Sequence, residues 1–278
     1  MGKDFKISLI GSGVMGEAFL AGLFRNQIAL AEFVTASDIR PEKLNEIQSR
    51  YGVNTTQDNR LAVKEAEVII LAVKPQNIDS VCESMDGKIM KDALVISIVA
   101  GVKISQIRKS LSHDNIVRVM PNTPAQIGEG ISVWTASKSV NTEQIERARV
   151  ILGGLGEEIF VEDENYLDMA TALSGSGPAY AFLFMEAMVD AGVHLGFPRH
   201  ISEKLVTHTV KGSVNYYMHK EGHPASLRNE VTSPGGTSAE AIYYLEKAGF
   251  RTAISRAVWA AFERSKSLGR GKKSQTPE

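Results

Sequence analysis

The sequence predicts an α/β protein in which a Rossmann-like, doubly wound sheet is followed by an all-helical region. Three observations predict this fold. Short runs rich in Val and Ile alternate with amphipathic segments as far as residue 161, as in a parallel sheet with helical crossovers. A glycine-rich turn follows the first of these runs. Beyond Glu162 only long helical patterns occur.

The predicted strands are short apolar runs that end at or near Gly, Pro, Asp or Asn. They cover residues 7–10, 33–36, 68–73, 94–99, 116–120, 131–134 and 159–161. Runs of this length and composition are typical of strands buried on both faces of a parallel sheet. Helical patterns between them, over residues 14–24, 41–51 and 141–152, predict the crossover helices.

The second half of the chain is predicted to be helical throughout. Its helical patterns cover residues 165–173, 179–195, 199–220, 238–247 and 250–268, and Gly and Pro separate most of them. We therefore expect two domains, an NAD(P)-binding domain over residues 1–163 and a helical substrate-binding and dimerisation domain over residues 164–278. The segment 179–188 is apolar around much of its circumference, which predicts that a second copy of the chain covers it.

Charge and cysteine content exclude several classes of protein. The 278 residues carry 31 Lys and Arg against 32 Asp and Glu, a formal net charge of −1, which argues against nucleic acid or an anionic membrane as the main partner. The single cysteine, Cys82, cannot form an internal disulfide and is interpreted as a small apolar residue.

The histidines lack metal-ligand spacing, so no metal site is expected. With no apolar stretch of membrane length, a cytoplasmic location is expected.

The first glycine turn, residues 11–16, has the pattern G-x-G-x-x-G directly after the first predicted strand. Gly11 permits a tight turn, Gly13 allows the backbone to approach a pyrophosphate, and Gly16 allows the helix to pack closely on the strand. A helix N-terminus at this point attracts phosphate. Glycines can also serve only to turn a chain, but the strand–turn–helix context favours a dinucleotide.

The end of the second strand carries both signals used to distinguish the two nicotinamide cofactors. Asp38 fits the acid that binds ribose hydroxyls, whereas Arg40, with Ser37 as a further donor, fits a 2′-phosphate. Asp38 opposes that phosphate, so we expect only a modest preference for NADPH over NADH. The alternative is a plain helix start, with Asp38 as its cap and Arg40 solvated.

The strand that follows residue 67 ends in Ala72, Val73, Lys74 and Pro75. Pro75 stops the strand, which leaves these residues at the carboxyl edge of the sheet, where ligands of open α/β sheets bind. We expect them to contact the cofactor. Lys74 could equally be a solvated strand end.

The second glycine turn, residues 233–238, precedes a helix. Gly235 and Gly236 expose backbone N–H groups, and Thr237 and Ser238 add hydroxyls, which together suit a small carboxylate. An ordinary Ser/Thr helix cap explains the same residues, and the residues alone leave both interpretations open. A further small-residue run, residues 173–178, is interpreted as a close helix contact that could also line the active cleft.

Six motifs, taken together, resemble the pyrroline-5-carboxylate reductase family over nearly the whole chain. They are IGSGVMG at 10–16, AVKP at 72–75, SIVAGV at 97–102, MPNTPA at 120–125, LSGSGPAY at 173–180 and SPGGTS at 233–238. The resemblance implies reduction of 1-pyrroline-5-carboxylate to L-proline by NAD(P)H. It also implies a helical domain interlocked with a second subunit, and dimers that can assemble into a ring.

The resemblance also implies site residues. Cofactor contacts are expected at Gly11, Ser12, Gly13, Val14, Met15, Asn59, Ala72 and Lys74, and substrate contacts at Glu221, Gly236, Thr237 and Ser238. Ser238 is expected to hydrogen-bond the reacting nitrogen, and Glu221 to favour its positive charge. This chain has Ser238 where the family usually has Thr, so the hydroxyl is kept but rotates more freely.

Two other functions are alternatives to this one. A related dehydrogenase acting on a small 3-hydroxyacid or keto acid needs a proton donor for the developing oxyanion. Its candidates are Lys204, His208 and Lys211, which otherwise form a solvated helix face. A non-catalytic NAD(P)-binding regulator would keep the fold without the chemistry, but its substrate-side residues would not be expected to keep their polar groups.

Overall fold

The computed structural model describes residues 5–220 and 222–269. Its contacts form two compact units. The sheet unit runs to Ser176 and resumes at Ala260, and the helical unit is Gly177–Trp259. The domain boundary expected near Asp163 stays a prediction, because a compact group of contacts is not by itself an independently folding domain.

The sheet unit contains an eight-stranded sheet of order β3-β2-β1-β4-β5-β6-β7-β8. The strands are β1 Ile7–Ile10, β2 Val34–Ser37, β3 Asn54–Thr56, β4 Val68–Leu71, β5 Leu94–Ser97, β6 Ile116–Met120, β7 Gly130–Ala136 and β8 Gly156–Phe160. This order, with the crossover at β1 and β4, confirms the Rossmann-like, doubly wound fold.

One pairing departs from the parallel pattern, because β7 runs antiparallel to β6. The connection between them contains only the short 3-10 turn Thr123–Ile127. A parallel neighbour requires a crossover of a dozen residues or more. Helix α6, Thr142–Gly153, supplies such a crossover, and β8 accordingly pairs with β7 in parallel.

Both faces of the sheet are buried along the central strands β1, β4 and β5, as their apolar runs predicted, whereas the edge strand β8 is partly exposed. Along β4, Ile70 packs into one core cluster and Ile69 into the other, because successive side chains point to opposite faces. The helices of this unit are α1 Val14–Arg25, α2 Pro41–Tyr51, α3 Asn59–Val63, α4 Ile78–Met85, α5 Ile104–Leu111, α6 and α7 Tyr166–Ala170. A π-helical turn, Thr171–Gly175, follows α7.

Cys82 is fully buried in α4, within the second core cluster. Burial raises the pKa of its thiol to about 12, and the nearby Asp79 and Glu83 carboxylates add to the shift. The thiol is therefore protonated at neutral pH and acts as an apolar core group.

The helical unit is built from α8 Gly177–His194, α9 Arg199–His219, α10 Pro224–Glu230, α11 Thr237–Lys247 and the first part of α12 Phe250–Gly269. Val189 and Val206 are its only buried apolar residues among those described. Phe182 and Leu183 are 64% and 66% exposed in the single chain, so α8 presents the apolar surface predicted from the sequence. None of the described helices combines the length and apolarity needed to cross a bilayer.

Candidate cofactor and substrate sites

At two positions of the first glycine turn, the backbone conformation and close packing require glycine. Gly11 has φ +95°, and a Cβ there would lie 2.8 Å from the carbonyl oxygen of Ala72. A Cβ on Gly16 would overlap the carbonyl oxygen of Gly11. These two positions therefore require glycine for close packing of β1, α1 and the end of β4.

Gly13 is different, because packing does not require it. Its φ of −70° suits any residue, and a Cβ there would meet no atom within 4 Å. Gly13 is the N-cap of α1, with no side-chain cap, so the first N–H groups of the helix remain open to an anion. The neighbouring Ser12 hydroxyl is buried and lacks a hydrogen-bond partner among the described residues. The turn therefore fits a pyrophosphate that would fill this space.

Asp38 holds the first glycine turn against the end of β2. Its carboxylate accepts hydrogen bonds from the backbone N–H of Ser12 at 2.9 Å, from the backbone N–H of Arg40 at 3.0 Å and from two guanidinium nitrogens of Arg40 at 3.0 and 3.2 Å. Burial raises the pKa of the Asp38 carboxyl, but the hydrogen bonds from Arg40 and Ser12 outweigh it and keep the pKa below its usual value. Asp38 is thus ionised and fully occupied by protein donors.

Side chains from three elements meet beside the first glycine turn. Ser37, the last residue of β2, donates its hydroxyl to the Asn59 side-chain oxygen at 2.7 Å, and this bond joins β2 to α3. Lys74 lies exposed after β4, and Pro75 begins a 3-10 turn behind it. The carboxyl ends of β1, β2 and β4 therefore surround one cleft of about 360 Å³.

The structure brings most of the predicted cofactor residues together in this cleft. Its lining includes Gly11, Gly13, Ser37, Asp38, Arg40, Asn59, Ala72, Val73 and Lys74. Ser12, Val14, Met15 and Gly16 belong to the adjoining turn and helix. Sequence reasoning missed Ile39, which is 81% exposed and also lines the cleft. An apolar residue between Asp38 and Arg40 was a signal that could have identified it.

The second glycine turn leads into α11 without a conventional cap. The N-cap is Gly236, with no side-chain cap bond, so Thr237 and Ser238 occupy the first helical positions and neither caps the helix. This geometry disfavours the Ser/Thr-cap interpretation. Gly235 has φ +69°, a conformation that favours glycine.

The backbone N–H groups that the second glycine turn offers to a ligand differ slightly from those expected, because the Gly236 N–H is occupied. The Gly236 N–H donates to the carbonyl oxygen of Ser233 at 3.0 Å. The first-turn N–H groups of Thr237, Ser238 and Ala239 remain, since a helix offers them no internal acceptor. Glu221, a predicted substrate residue, lies outside the described residues.

The alternative proton donors lie on α9. Lys204, His208 and Lys211 are all exposed. A ring nitrogen of His208 lies 3.1 Å from the carbonyl oxygen of Lys204, within its own helix. In the single chain these three side chains therefore lie on an exposed helix face.

A mostly parallel sheet that changes strand order beside a glycine turn and an open helix N-terminus defines a Rossmann-type, dinucleotide-binding protein. A pyrroline-5-carboxylate reductase of Synechocystis sp. is 42% identical over 267 residues, which are 96% of this chain and 99% of that protein. One from Methanosarcina acetivorans is 39% identical, over 96% of this chain and 99% of that protein. The chain belongs to the pyrroline-5-carboxylate reductase family.

Family models and a solved structure agree with this assignment. Residues 6–101 match the model described as NADP oxidoreductase, coenzyme F420-dependent, and residues 164–268 match that of pyrroline-5-carboxylate reductase dimerisation. The crystal structure of Plasmodium falciparum pyrroline carboxylate reductase with NADP bound superposes with a TM-score of 0.89 at 32% identity. That match covers 97% of this chain and 100% of the Plasmodium chain.

Proposed function

We propose that this protein reduces the C=N bond of 1-pyrroline-5-carboxylate to give L-proline. The observation that carries the proposal is the extent of the likeness, which covers 96% of the chain at 42% identity and so includes both glycine turns. In the reaction the ring carbon of the C=N bond gains a hydride and the ring nitrogen gains a proton from water. The product is a secondary amine.

The cofactor is proposed to bind in the cleft beside the first glycine turn. Gly13 provides space for the pyrophosphate, and Ser12 with the N-terminus of α1 provides its donors. Ser37, Arg40 and Lys74 would contact the rest of the dinucleotide. When bound, the reduced cofactor supplies the hydride.

The substrate carboxylate is proposed to bind at the start of α11, to the N–H groups of Thr237, Ser238 and Ala239. The hydroxyl oxygen of Ser238 then accepts a hydrogen bond from the protonated ring nitrogen, and Glu221 is proposed to favour its charge. A protonated C=N bond is already electrophilic, and hydride addition removes its charge. The reaction therefore needs positioning more than a strong acid.

NADPH is proposed as the preferred cofactor. Asp38 is already occupied by donors from Ser12 and Arg40, so it has little capacity left for ribose hydroxyls. The Arg40 side chain is 57% exposed and lines the cleft, and a guanidinium is the kind of group that pairs with a 2′-phosphate. The pairing with Arg40 also offsets the repulsion between Asp38 and that phosphate.

Replacing Arg40 with alanine is expected to raise KM for NADPH at least about fivefold and to change KM for NADH much less, because a charge-assisted bond to phosphate is lost. Steady-state kinetics with each cofactor measure this. Arg60→Ala is the matched control: Arg60 pairs with Asp58 through the same backbone and guanidinium bonds but is absent from the cleft lining. Equal changes for the two cofactors would show that Arg40 is a solvated helix residue.

The oligomer is proposed to be a dimer formed through the helical unit, with a ring of dimers as the larger assembly. The dimerisation family model covers this unit. Exposed apolar residues recur along its helices, among them Phe182, Leu205, Met218, Tyr244 and Trp259. A unit with so little buried apolar surface needs a partner to cover it. The cytoplasmic location stays a prediction.

Light scattering at micromolar concentration is expected to give at least twice the 30.2 kDa chain mass, because covering the exposed side chains of α8 and its neighbours stabilises the dimer. Leu183→Glu is expected to weaken this association. A monomer mass for the parent protein would contradict the proposed dimer.

Purified protein is expected to oxidise NADPH or NADH in the presence of DL-pyrroline-5-carboxylate and to form proline. The reason is that the proposed cofactor site and the proposed substrate site together position the two reactants. Absorbance at the reduced-nicotinamide band and amino-acid analysis measure it. A small keto acid in the same assay tests the alternative dehydrogenase. Folded protein that binds cofactor but turns over neither substrate would instead support the regulator.

A further inference from the structure

A charged cluster within the sheet unit joins α1 to α2. The Glu17 carboxylate, in the first turn of α1, accepts hydrogen bonds from the Lys43 ammonium at 2.8 Å and from the Arg50 guanidinium at 2.5 Å. Both cations belong to α2. The side chains of Glu17 and Lys43 are only 20% and 22% exposed, whereas that of Arg50 is 69% exposed. We refer to these three residues as the Glu17 cluster.

The charge of Glu17 is directed at α2 and not at the cofactor cleft. Burial raises the pKa of the Glu17 carboxyl, but the hydrogen bonds from Lys43 and Arg50 outweigh this effect and hold the pKa below its usual value. The carboxylate is therefore ionised at neutral pH and paired with two cations. None of the three residues belongs to the lining of the cleft, so the cluster acts on the cofactor site through the helices that it joins.

These two helices begin at the two places where phosphate groups are proposed to bind. The N-cap of α1 is Gly13 and the N-cap of α2 is Arg40, and neither makes a side-chain cap bond. Glu17 lies one turn from Gly13, because its backbone N–H donates to the Gly13 carbonyl oxygen. Lys43 lies three residues after Arg40. The pair between Glu17 and Lys43 therefore restrains the two helix N-termini close to where they start.

We propose that Glu17 is a positioning residue for cofactor preference, which holds the N-terminus of α2 at a separation from α1 that allows one NADPH molecule to reach both. The inference rests on the proposed function, in which Gly13 provides space for the pyrophosphate and Arg40 pairs with the 2′-phosphate. NADPH carries both groups, so it needs both helices in register. NADH lacks the 2′-phosphate, so its binding depends much less on where α2 begins.

A purely electrostatic role for Glu17 predicts the opposite result. A carboxylate one turn from the pyrophosphate space repels an anionic cofactor, and its neutralisation would then tighten the binding of NADPH and NADH. It would also release two cations. The sign of the change in NADPH affinity therefore distinguishes positioning from repulsion.

Glu17→Gln tests the proposal in the full chain, because it removes the charge and keeps the shape of the side chain. We expect Kd for NADPH to rise about three- to fivefold and Kd for NADH to change less than about twofold, as measured by calorimetric titration. Lys43→Met is expected to have the same effect. The double variant should bind NADPH no more weakly than either single variant, because both substitutions remove one restraint.

Glu158→Gln is the matched control. The Glu158 side chain is also 20% exposed and pairs with Arg149 at 3.1 Å, but it lies on β8, at the edge of the sheet far from β1 and β2. We expect it to leave Kd for both cofactors unchanged. A change equal to that of Glu17→Gln would show that any lost ion pair weakens binding, which would overturn the proposal.

Tighter NADPH binding by Glu17→Gln would overturn the proposal in favour of repulsion, and equal weakening for both cofactors would overturn it in favour of a general loss of structure. These titrations need no turnover, so they decide the matter even if the protein does not reduce pyrroline-5-carboxylate. Equal effects of Arg40→Ala on both cofactors would remove the proposed 2′-phosphate contact and the role of Glu17 with it. An NADPH-specific effect of Arg40→Ala beside parental affinity in Glu17→Gln would remove only the role of Glu17.

Discussion

Ser238→Ala is expected to lower kcat at least about tenfold while KM for the substrate changes little. The variant keeps the backbone N–H groups that are proposed to bind the carboxylate, so ground-state binding persists. It removes the hydroxyl oxygen that is proposed to accept a bond from the protonated ring nitrogen, an interaction worth about 1.5–3 kcal/mol because one partner is charged. Stopped-flow and steady-state kinetics with saturating NADPH would separate the two parameters.

Ser238→Thr is the matched variant, since it keeps the hydroxyl and adds a methyl that limits its rotation. We expect turnover equal to or above that of the parent. The structure removes one competing explanation, because α11 is capped by Gly236 and not by either hydroxyl. Should Ser238→Ala turn over as fast as the parent, the hydroxyl has no part in the reaction and water alone serves the nitrogen.

Gly13→Ala and Gly16→Ala are expected to have different effects: the first weakens NADPH binding, and the second lowers stability. Gly13 has an ordinary φ and open space around a Cβ, so Gly13→Ala should fold normally and raise Kd for NADPH at least about tenfold, equivalent to about 1.4 kcal/mol. The added methyl would occupy the proposed pyrophosphate space. Gly16→Ala would overlap the carbonyl oxygen of Gly11 and should lower stability by about 1–3 kcal/mol.

Calorimetric titration with NADPH and thermal unfolding measure these two outcomes. Gly153→Ala is the control, because Gly153 also has open space around a Cβ but ends α6 and is absent from the cleft lining. It should leave Kd unchanged. Parental NADPH affinity in Gly13→Ala would contradict the assignment of the first glycine turn to the pyrophosphate.

The sheet could be predicted from the sequence wherever burial dictated composition. Runs such as residues 68–71 are apolar because both faces of the strand are covered. The strand β3 was missed because its residues, Asn54, Thr55 and Thr56, are polar at the sheet edge. The antiparallel direction of β7 could not be predicted, because a single strand's composition does not encode which way its neighbour runs. Short helices such as α10 were missed because seven residues carry little periodicity.

The candidate sites, too, could be predicted from the sequence only in part. Local backbone demands are visible in a sequence, so the glycine turns could be found. The contact between Asp38 and the Ser12 N–H spans 26 positions, and the Arg118–Asp168 pair spans 50, so neither follows from spacing. Arg118 reads in the sequence as a polar interruption of an apolar strand. Its carboxylate partners, Glu164 and Asp168, are visible only in the structure.

The sparse interior of the helical unit has a consequence for how the protein responds to its own concentration. With only Val189 and Val206 buried among the apolar residues described there, the proposed dimer implies that much of the unit's hydrophobic stabilisation comes from contacts between copies. Folding of this unit and assembly would then be one equilibrium, in which free chain is a reactant. We expect dilution to destabilise the protein, and its melting temperature to rise with protein concentration.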